Sequence, residues 1–421
     1  MEEARAMKTT MWMVATAAWI ATGCYTSSEL EVDGGGVGAR LPDGRVIPAP
    51  GTPDGRAPSP VDSGPPPPPP PPPTPDVDLL LVIDNSGSMS EEQFSLAVEL
   101  PEIVRALGTG DLDGDGARDA PSVDSLHVGV ITPDMGTGGF TVPTCARADF
   151  GDDGVFRTQG RIDIMGCMPN YPSFLHWTPT RRTTAEEFAE QVGCVAMVGT
   201  GGCGFEQPLE AALKALSPAE PTEWTSHRYA PPEFFRGTTG HGDGVNEGLV
   251  RPGSVLAIVM LTDEEDCSAS DLNLFNPSDR TYGGTDLNLR CFAHASRALH
   301  PTSRYVEGLL QLRARAGRLA FIPIAGVPVD LLSGPGEPTD WASLVGPPGT
   351  RDPRLEERVD PSAPNRLVPS CDVPGRGVAF PPIRILQVAE SLEARGARVQ
   401  VGSVCQESHA GRILRGIMEA M

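Results

Sequence analysis

Apolar runs alternate with stretches of helical periodicity along the chain after about residue 76. The runs predict strands that are covered on both faces of a sheet, because they leave few positions in contact with water. They are residues 79–83, 126–131, 254–262, 319–325 and 399–404. Helices are predicted from Ser90 onwards and at residues 184–198, 205–216, 303–315, 383–394 and 407–420. This alternation predicts an α/β fold with a doubly wound, mostly parallel sheet.

Two of the predicted helices carry residues that favour helix initiation at their amino termini. Two long insertions separate the predicted elements. The acids after Ser90 lie at the positive end of the first helix dipole, and Pro101 is expected to kink or restart that helix. Thr184 and Glu187 form the sequence pattern of a capping box. The irregular stretches at residues 132–183 and 326–382 account for the size of the domain, which exceeds that of an ordinary one.

Polar oxygen donors follow two of the apolar strands directly. Asp84, Ser86 and Ser88 come after the first strand, and Asp263 comes after the run at residues 254–262. Open α/β sheets place their ligand sites at the carboxyl ends of strands. Carboxylates and hydroxyls are hard oxygen ligands that suit Mg²⁺, Ca²⁺ or Mn²⁺. For Asp84, Ser86 and Ser88, the alternative is a turn that only caps the following helix.

The D-x-S-x-S pattern at Asp84, Ser86 and Ser88 resembles the metal-ion-dependent adhesion site of von Willebrand factor A domains. Asp263 matches the third metal motif of that family, and Thr200 in the glycine-rich loop 199–204 is the nearest candidate for its second-motif hydroxyl. The resemblance implies a Rossmann-like von Willebrand factor A fold over residues 76–421, with long disulfide-bearing insertions. It also implies that an acidic residue of a protein partner completes the metal shell, as in cell adhesion.

The amino-terminal residues 1–23 have the pattern of a signal peptide. Lys8 precedes an apolar run at residues 11–22, which is too short to span a bilayer unaided. The run ends in Ala21-Thr22-Gly23-Cys24, which resembles the lipobox of bacterial lipoproteins. The resemblance implies a lipid anchor on Cys24 in the cell envelope, and Tyr25 after it resembles the pattern of lipoproteins sent to the outer membrane. The alternative is a secretory signal that happens to contain a cysteine.

Residues 24–75 form a predicted linker. Gly, Pro, Ser and Asp dominate this segment, so it cannot bury a core and is expected to be disordered. The proline run at residues 65–73 favours polyproline II and a spacer of roughly 30 Å. A ligand for an SH3-type domain is the alternative interpretation of the prolines.

A second candidate site lies between the first helix and the second strand. Asp111, Asp113, Asp115 and Asp119 resemble the ligands of an EF-hand-like calcium loop, with Gly116 at the sharp turn. Ser122 stands where the bidentate Glu of such a loop is expected. Two interpretations of this loop therefore remain: it binds a second Ca²⁺, or it is a solvated acidic turn.

The charge of the chain excludes one class of partner. With 421 residues and a net charge of −22, the protein has nothing to neutralise a run of phosphates, so no nucleic acid is expected. The same charge disfavours docking on anionic lipid, which leaves contact with the membrane to the lipid anchor alone. Divalent cations are the natural partners of excess carboxylates.

Nine cysteines are present, and lipidation of Cys24 leaves eight for disulfides. We expect bonds between sequence neighbours, with Cys267–Cys291 and Cys371–Cys405 the clearest pairs. The other four candidates are Cys145, Cys167, Cys194 and Cys203. A zinc site is the alternative, but the chain contains no C-x-x-C motif.

Three classes of function follow from these observations. A binding module that captures a protein partner through a divalent cation is the first. A structural envelope protein, in which the metal only stabilises the fold, is the second. A metal-dependent hydrolase is the third, but the sequence contains no H-E-x-x-H or G-x-S-x-G motif and no His beside the metal motifs, so we expect no enzyme.

Overall fold

A computed structural model of the chain describes residues 76–374 and 376–421. The predicted signal peptide, the predicted lipidation site Cys24 and the proline-rich linker lie outside the described residues. Within the described part, no helix has the length and apolar character needed to cross a membrane.

The centre of the structure is a mostly parallel, seven-stranded sheet. The strands of the chain are β1 (Val77–Ile83), β2 (Leu126–Ile131), β3 (Leu175–Trp177), β4 (Val255–Leu261), β5 (Leu319–Ala325), β6 (Val359–Asp360), β7 (Ala363–Leu367), β8 (Cys371–Val373), β9 (Gly377–Ala379), β10 (Arg398–Val399) and β11 (Gly402–Ser403). The sheet has the order β10-β5-β4-β1-β2-β3, and β11 also pairs with β5. Only the short edge strand β3 runs antiparallel to its neighbour.

Helices cover both faces of this sheet. They are α1 (Ser90–Thr109), α2 (Ala185–Ala196), α3 (Pro208–Leu216), α4 (Arg290–Ala298), α5 (Ser303–Gln311), α6 (Trp341–Val345), α7 (Ile383–Ala394) and α8 (Ala410–Ala420). Alternate side chains of β1 point to opposite faces, as the period of a strand requires. Leu79 and Leu81 pack with α1, α2 and α8, whereas Leu80 and Val82 pack with α3, α5 and α7. The prediction of an α/β fold with a mostly parallel sheet is confirmed.

The insertions add small elements of their own. Hairpins β6–β7 and β8–β9 and the short helix α6 lie between β5 and α7. A third apolar cluster, which includes Phe205, Phe275 and Tyr282, packs beside the main core. The edge strand β3, inside the stretch that the sequence indicates as irregular, is the one strand of the central sheet that the pattern misses.

The structure forms four disulfides, and their pairing differs in part from the expected one. Cys267–Cys291 and Cys371–Cys405 are confirmed. Pairing of sequence neighbours is wrong for Cys145 and Cys203, which bond to each other and enclose the bond between the consecutive cysteines Cys167 and Cys194. The reason is that residues 132–183 fold back on α2: the amide of Arg161 donates to the Cys194 carbonyl (3.2 Å), and the amide of Gly204 donates to the Thr144 carbonyl (3.2 Å).

Several element boundaries also differ from the sequence patterns. Helix α1 does not restart at Pro101, since Leu100 and Ile103 keep its buried face continuous across the proline. Helix α3 begins at Pro208 rather than at residue 205. The last predicted strand is divided into β10 and β11. The capping box of α2 is confirmed, with Thr184 and Glu187 each accepting the other's amide proton at 3.1 and 3.0 Å.

A buried ionic network closes the amino end of the sheet. Asp78 of β1 is fully buried and accepts hydrogen bonds from the backbone amide and the guanidinium of Arg251, both at 2.7 Å. Arg313, which is 4% exposed, and the hydroxyl of Ser254 also donate to this carboxylate. The aspartate therefore has its charge compensated inside the protein.

We expect Asp78→Asn to lower the free energy of unfolding by about 3–5 kcal/mol, because it leaves buried arginine charge without a counterion. Urea unfolding measures this. Asp76→Asn is the matched control, since Asp76 also pairs with Arg251 (3.3 Å) but keeps 41% of its side chain exposed. The control should change stability by about 1 kcal/mol or less. Equal effects of the two substitutions would contradict the role given to the buried network.

Candidate cation-binding site

The loop after β1 gathers one carboxylate and two hydroxyls. Asp84 is fully buried, and its Oδ1 accepts the backbone amide of Ser86 at 2.8 Å. The Oγ atoms of Ser86 and Ser88 lie 3.3 Å apart, with Ser86 buried and Ser88 exposed. The loop thus presents hard oxygen atoms between a buried strand end and the surface.

The end of β4 brings a second carboxylate to the same edge of the sheet. Ile83 pairs with Leu261 in the parallel register, so Thr262 and Asp263 follow beside Asp84. The Thr262 hydroxyl donates to Asp84 Oδ2 at 2.6 Å. Asp263 is 1% exposed, and its Oδ1 is buried without a hydrogen-bond partner among the described residues. A buried carboxylate oxygen in this state is costly unless a cation or a proton compensates it.

The glycine-rich loop 199–204 packs against the loop after β1. The Gln93 side chain donates to the carbonyls of Asp84 (2.7 Å) and Gly199 (2.9 Å), and Gly202 donates its amide to the Asn85 carbonyl (2.7 Å). A Cβ atom at position 202 would collide with the Asn85 side chain, so the approach requires glycine. Thr200 on this loop is exposed. Among the described residues, its hydroxyl makes no hydrogen bond to the other candidate ligands.

The site concentrates negative charge. Five acids lie at or next to it, namely Asp84, Glu92, Glu206, Asp263 and Glu264. In the part of the chain that the structure describes, none of the five forms a salt bridge. Both carboxylate oxygens of Glu92 are buried without a partner. This excess of uncompensated charge favours a bound cation.

The same charges change the acidity of the carboxyls. Burial, followed by the charge of Asp84, raises the pKa of Asp263 to about 7. Burial and the charge of Asp84 also raise the pKa of Glu206 well above its ordinary value. Both effects disfavour ionisation when no cation is bound. Sequence reasoning missed Glu206, Gln93 and Thr262; only Thr262, which directly precedes Asp263, carried a local signal.

The Asp111 loop forms a separate acidic group. Carboxylate oxygens of Asp111, Asp113 and Asp115 lie within 4.8 Å of one another, and no other group of three or more His, Cys, Asp or Glu side chains among the described residues does so. Asp111 also accepts the amides of Gly114 (2.7 Å) and Gly116 (3.1 Å). Asp119 is outside this group and accepts the Leu112 amide at 2.9 Å. Three of the four predicted ligands therefore converge.

The acidity of Asp263 predicts how the metal-free protein responds to pH. A carboxyl whose pKa is raised by folding stabilises the protein below its unfolded pKa, and that stability is lost as the pH rises through the folded value. In EDTA, the free energy of unfolding should therefore fall between about pH 4 and pH 7. About 4 kcal/mol of this fall is due to Asp263.

Asp263→Asn should reduce this dependence, which urea unfolding at a series of pH values measures; the raised pKa values of Glu92 and Glu357, both about 7, account for part of what remains. Asp124→Asn, a change at an exposed aspartate before β2, is the control and should keep the slope of the parent. A slope in Asp263→Asn as steep as in the control would show that Asp263 is ionised in the folded protein without metal.

No protein-family model matches this sequence, and no curated protein matches it significantly. The function of the chain is therefore inferred from its own residues and their geometry.

Proposed function

We propose that residues 76–421 form a von Willebrand factor A domain that binds a protein partner through a divalent cation at Asp84, Ser86, Ser88 and Asp263. The observation that carries the proposal is the buried, unpartnered Oδ1 of Asp263 beside the Asp84 carboxylate and two serine hydroxyls. These donors fit a hard cation such as Mg²⁺, Ca²⁺ or Mn²⁺. Thr200 is a further candidate ligand, on a loop that packs against the same site.

The strand order supports this proposal. With β10 and β11 counted as one interrupted strand, the order β3-β2-β1-β4-β5-β10 follows the doubly wound pattern, apart from the reversed edge strand β3. In that pattern the order reverses direction between β1 and β4, where a crevice forms at the carboxyl ends of the strands. Asp84 and Asp263 lie at these two strand ends. The candidate ligands therefore occupy the position at which such sheets bind their ligands.

The donor set suits binding rather than catalysis. Two serine hydroxyls contribute no charge, so a bound cation keeps much of its ability to attract another oxygen ligand. An Asp or Glu side chain of a partner protein supplies that ligand.

We further propose that Cys24 anchors the protein by lipid in the bacterial envelope, at the outer membrane, with residues 25–75 as a spacer. A cation that serves stability alone is the second candidate, since the site acids lack basic partners.

Asp263→Ala should abolish magnesium-dependent capture of a partner from envelope extracts while leaving the melting temperature in EDTA unchanged or higher, because it removes one of several repelling charges. The paired change Ser86→Ala with Ser88→Ala should also abolish capture. Binding of Mn²⁺, followed by electron paramagnetic resonance, should weaken in both variants. Ser90→Ala is the control, since it removes an exposed hydroxyl just beyond the loop.

The second candidate function, in which the cation serves stability alone, predicts a different result. Both variants would then melt well below the parent in magnesium buffer, and capture would be insensitive to EDTA. Capture that persists in Asp263→Ala would exclude the adhesion-type site.

We propose that the Asp111 loop binds a second cation, Ca²⁺. Calcium should raise the melting temperature by mass action, with a stabilisation of about 2.7 kcal/mol when its concentration is one hundred times the dissociation constant. Asp113→Ala with Asp115→Ala should remove most of this rise but leave magnesium-dependent capture intact. Asp124→Ala is the control for removal of a nearby charge. An unchanged calcium response in the double variant would identify the loop as a solvated turn.

A further inference from the structure

A cavity of about 300 Å³ opens beside the candidate cation site. Four glutamates contribute to its lining, together with the aromatic rings of Phe292 and Phe380: Glu206, Glu264, Glu265 and Glu357. Glu264 directly follows Asp263 in the chain. Phe380 donates its backbone amide to the Asp263 carbonyl at 2.8 Å. The cavity and the cation site therefore share a wall.

The negative charge of this cavity is compensated only in part: Glu265 accepts the backbone amide of Arg384 at 2.8 Å, and the Arg384 guanidinium lies near Glu265 and Glu357. Glu206 is 5% exposed, and its carboxylate accepts no hydrogen bond from another described residue. Arg366 is the one basic side chain in the lining, but it is exposed and pairs with Asp360 at 3.2 Å. A buried acid that points into an open cavity without a partner indicates a missing cationic group.

The shape of the cavity argues against a metal ion as that group. Among the described residues, three carboxylates come within 4.8 Å of one another only at Asp111, Asp113 and Asp115, so no three glutamates of the cavity meet at one point. The volume also exceeds what one ion needs. A guanidinium fits better, because its five N–H donors reach several carboxylates at once and its flat face stacks on aromatic rings.

The walls are held in place by covalent bonds. Cys267 and Cys291, which bond to each other, both line the cavity, and Gly204 in the lining directly follows Cys203 of the Cys145–Cys203 bond. The third apolar cluster packs around these bonds. A preformed cavity spares a ligand the cost of ordering the loops around it.

We propose that this cavity binds the guanidinium group of an arginine side chain on the partner protein. This inference rests on the proposed function, since the same partner supplies the carboxylate to the cation. The partner surface then presents an acid and an arginine close together. The acid binds the cation, and the arginine binds the acidic cavity. Such complementary charges select against partners that carry the acid alone.

Agmatine, which carries a guanidinium at one end of a short apolar chain and an ammonium at the other, tests the cavity without the metal. Calorimetric titration of the full chain in EDTA should show binding of one agmatine per protein. Glu206→Gln and Glu357→Gln should each weaken this binding about tenfold or more, because each removes a charged acceptor. Both changes keep the side-chain shape, and thermal melts confirm that the variants fold.

Glu190→Gln is the control. Glu190 is an exposed glutamate of α2 that lines a different cavity. Its replacement should leave agmatine binding unchanged. Agmatine should also reduce magnesium-dependent capture by the parent protein, and should do so less effectively in Glu206→Gln.

Three outcomes would overturn the proposal. The first is that agmatine does not bind, or binds equally to the parent, Glu206→Gln and Glu357→Gln. The second is that cadaverine, which carries ammonium groups in place of guanidinium, binds as tightly as agmatine. The third is that Mg²⁺ or Ca²⁺ displaces agmatine one for one in Asp263→Ala, which would assign the cavity to a metal. Loss of capture with intact agmatine binding counts instead against the proposed cation-dependent function.

Discussion

Parallel pairing of β1 with β4 is the interaction on which the rest of the structure depends. Both strands are apolar at nearly every position and are buried under helices on both faces, so their relative register is fixed by packing. That register sets Ile83 against Leu261, and therefore brings Asp84 and Asp263 together although about 180 residues of chain separate them. The candidate cation site, the glycine-rich loop and the adjoining cavity are all arranged around this pair of strand ends.

The two ends of β1 differ in how their buried aspartates are compensated. At the amino end, Asp78 is paired with Arg251 and Arg313. At the carboxyl end, Asp84 has hydroxyl and amide donors but no basic side chain. The fold can supply arginine partners to a buried aspartate, as it does at the amino end of β1. The lack of such partners at Asp84 is therefore specific to the residues around Asp84 and is not a general feature of the sheet. Uncompensated buried charge costs stability at this end of the sheet, and under the proposed function a bound cation would offset that cost.

The sequence predicted those features that depend on local pattern. Apolar runs located the parallel strands, and the acid after each run located Asp84 and Asp263. It did not predict Glu206, because that glutamate becomes part of the site only through the folding of distant loops. The pairing of Cys145 with Cys203 was missed for the same reason, since the insertion at residues 132–183 returns to α2 in a way that no periodicity encodes.

The nested arrangement of Cys145–Cys203 around Cys167–Cys194 has a consequence for biogenesis. When a chain is exported from its amino terminus, Cys167 emerges before Cys203, so the first partner available to Cys145 is the wrong one. For the exported chain proposed above, oxidation that keeps pace with export would trap a bond between Cys145 and Cys167, which thiol exchange must undo. We expect efficient production of this protein to require a disulfide isomerase, because an oxidant alone would accumulate the mispaired form.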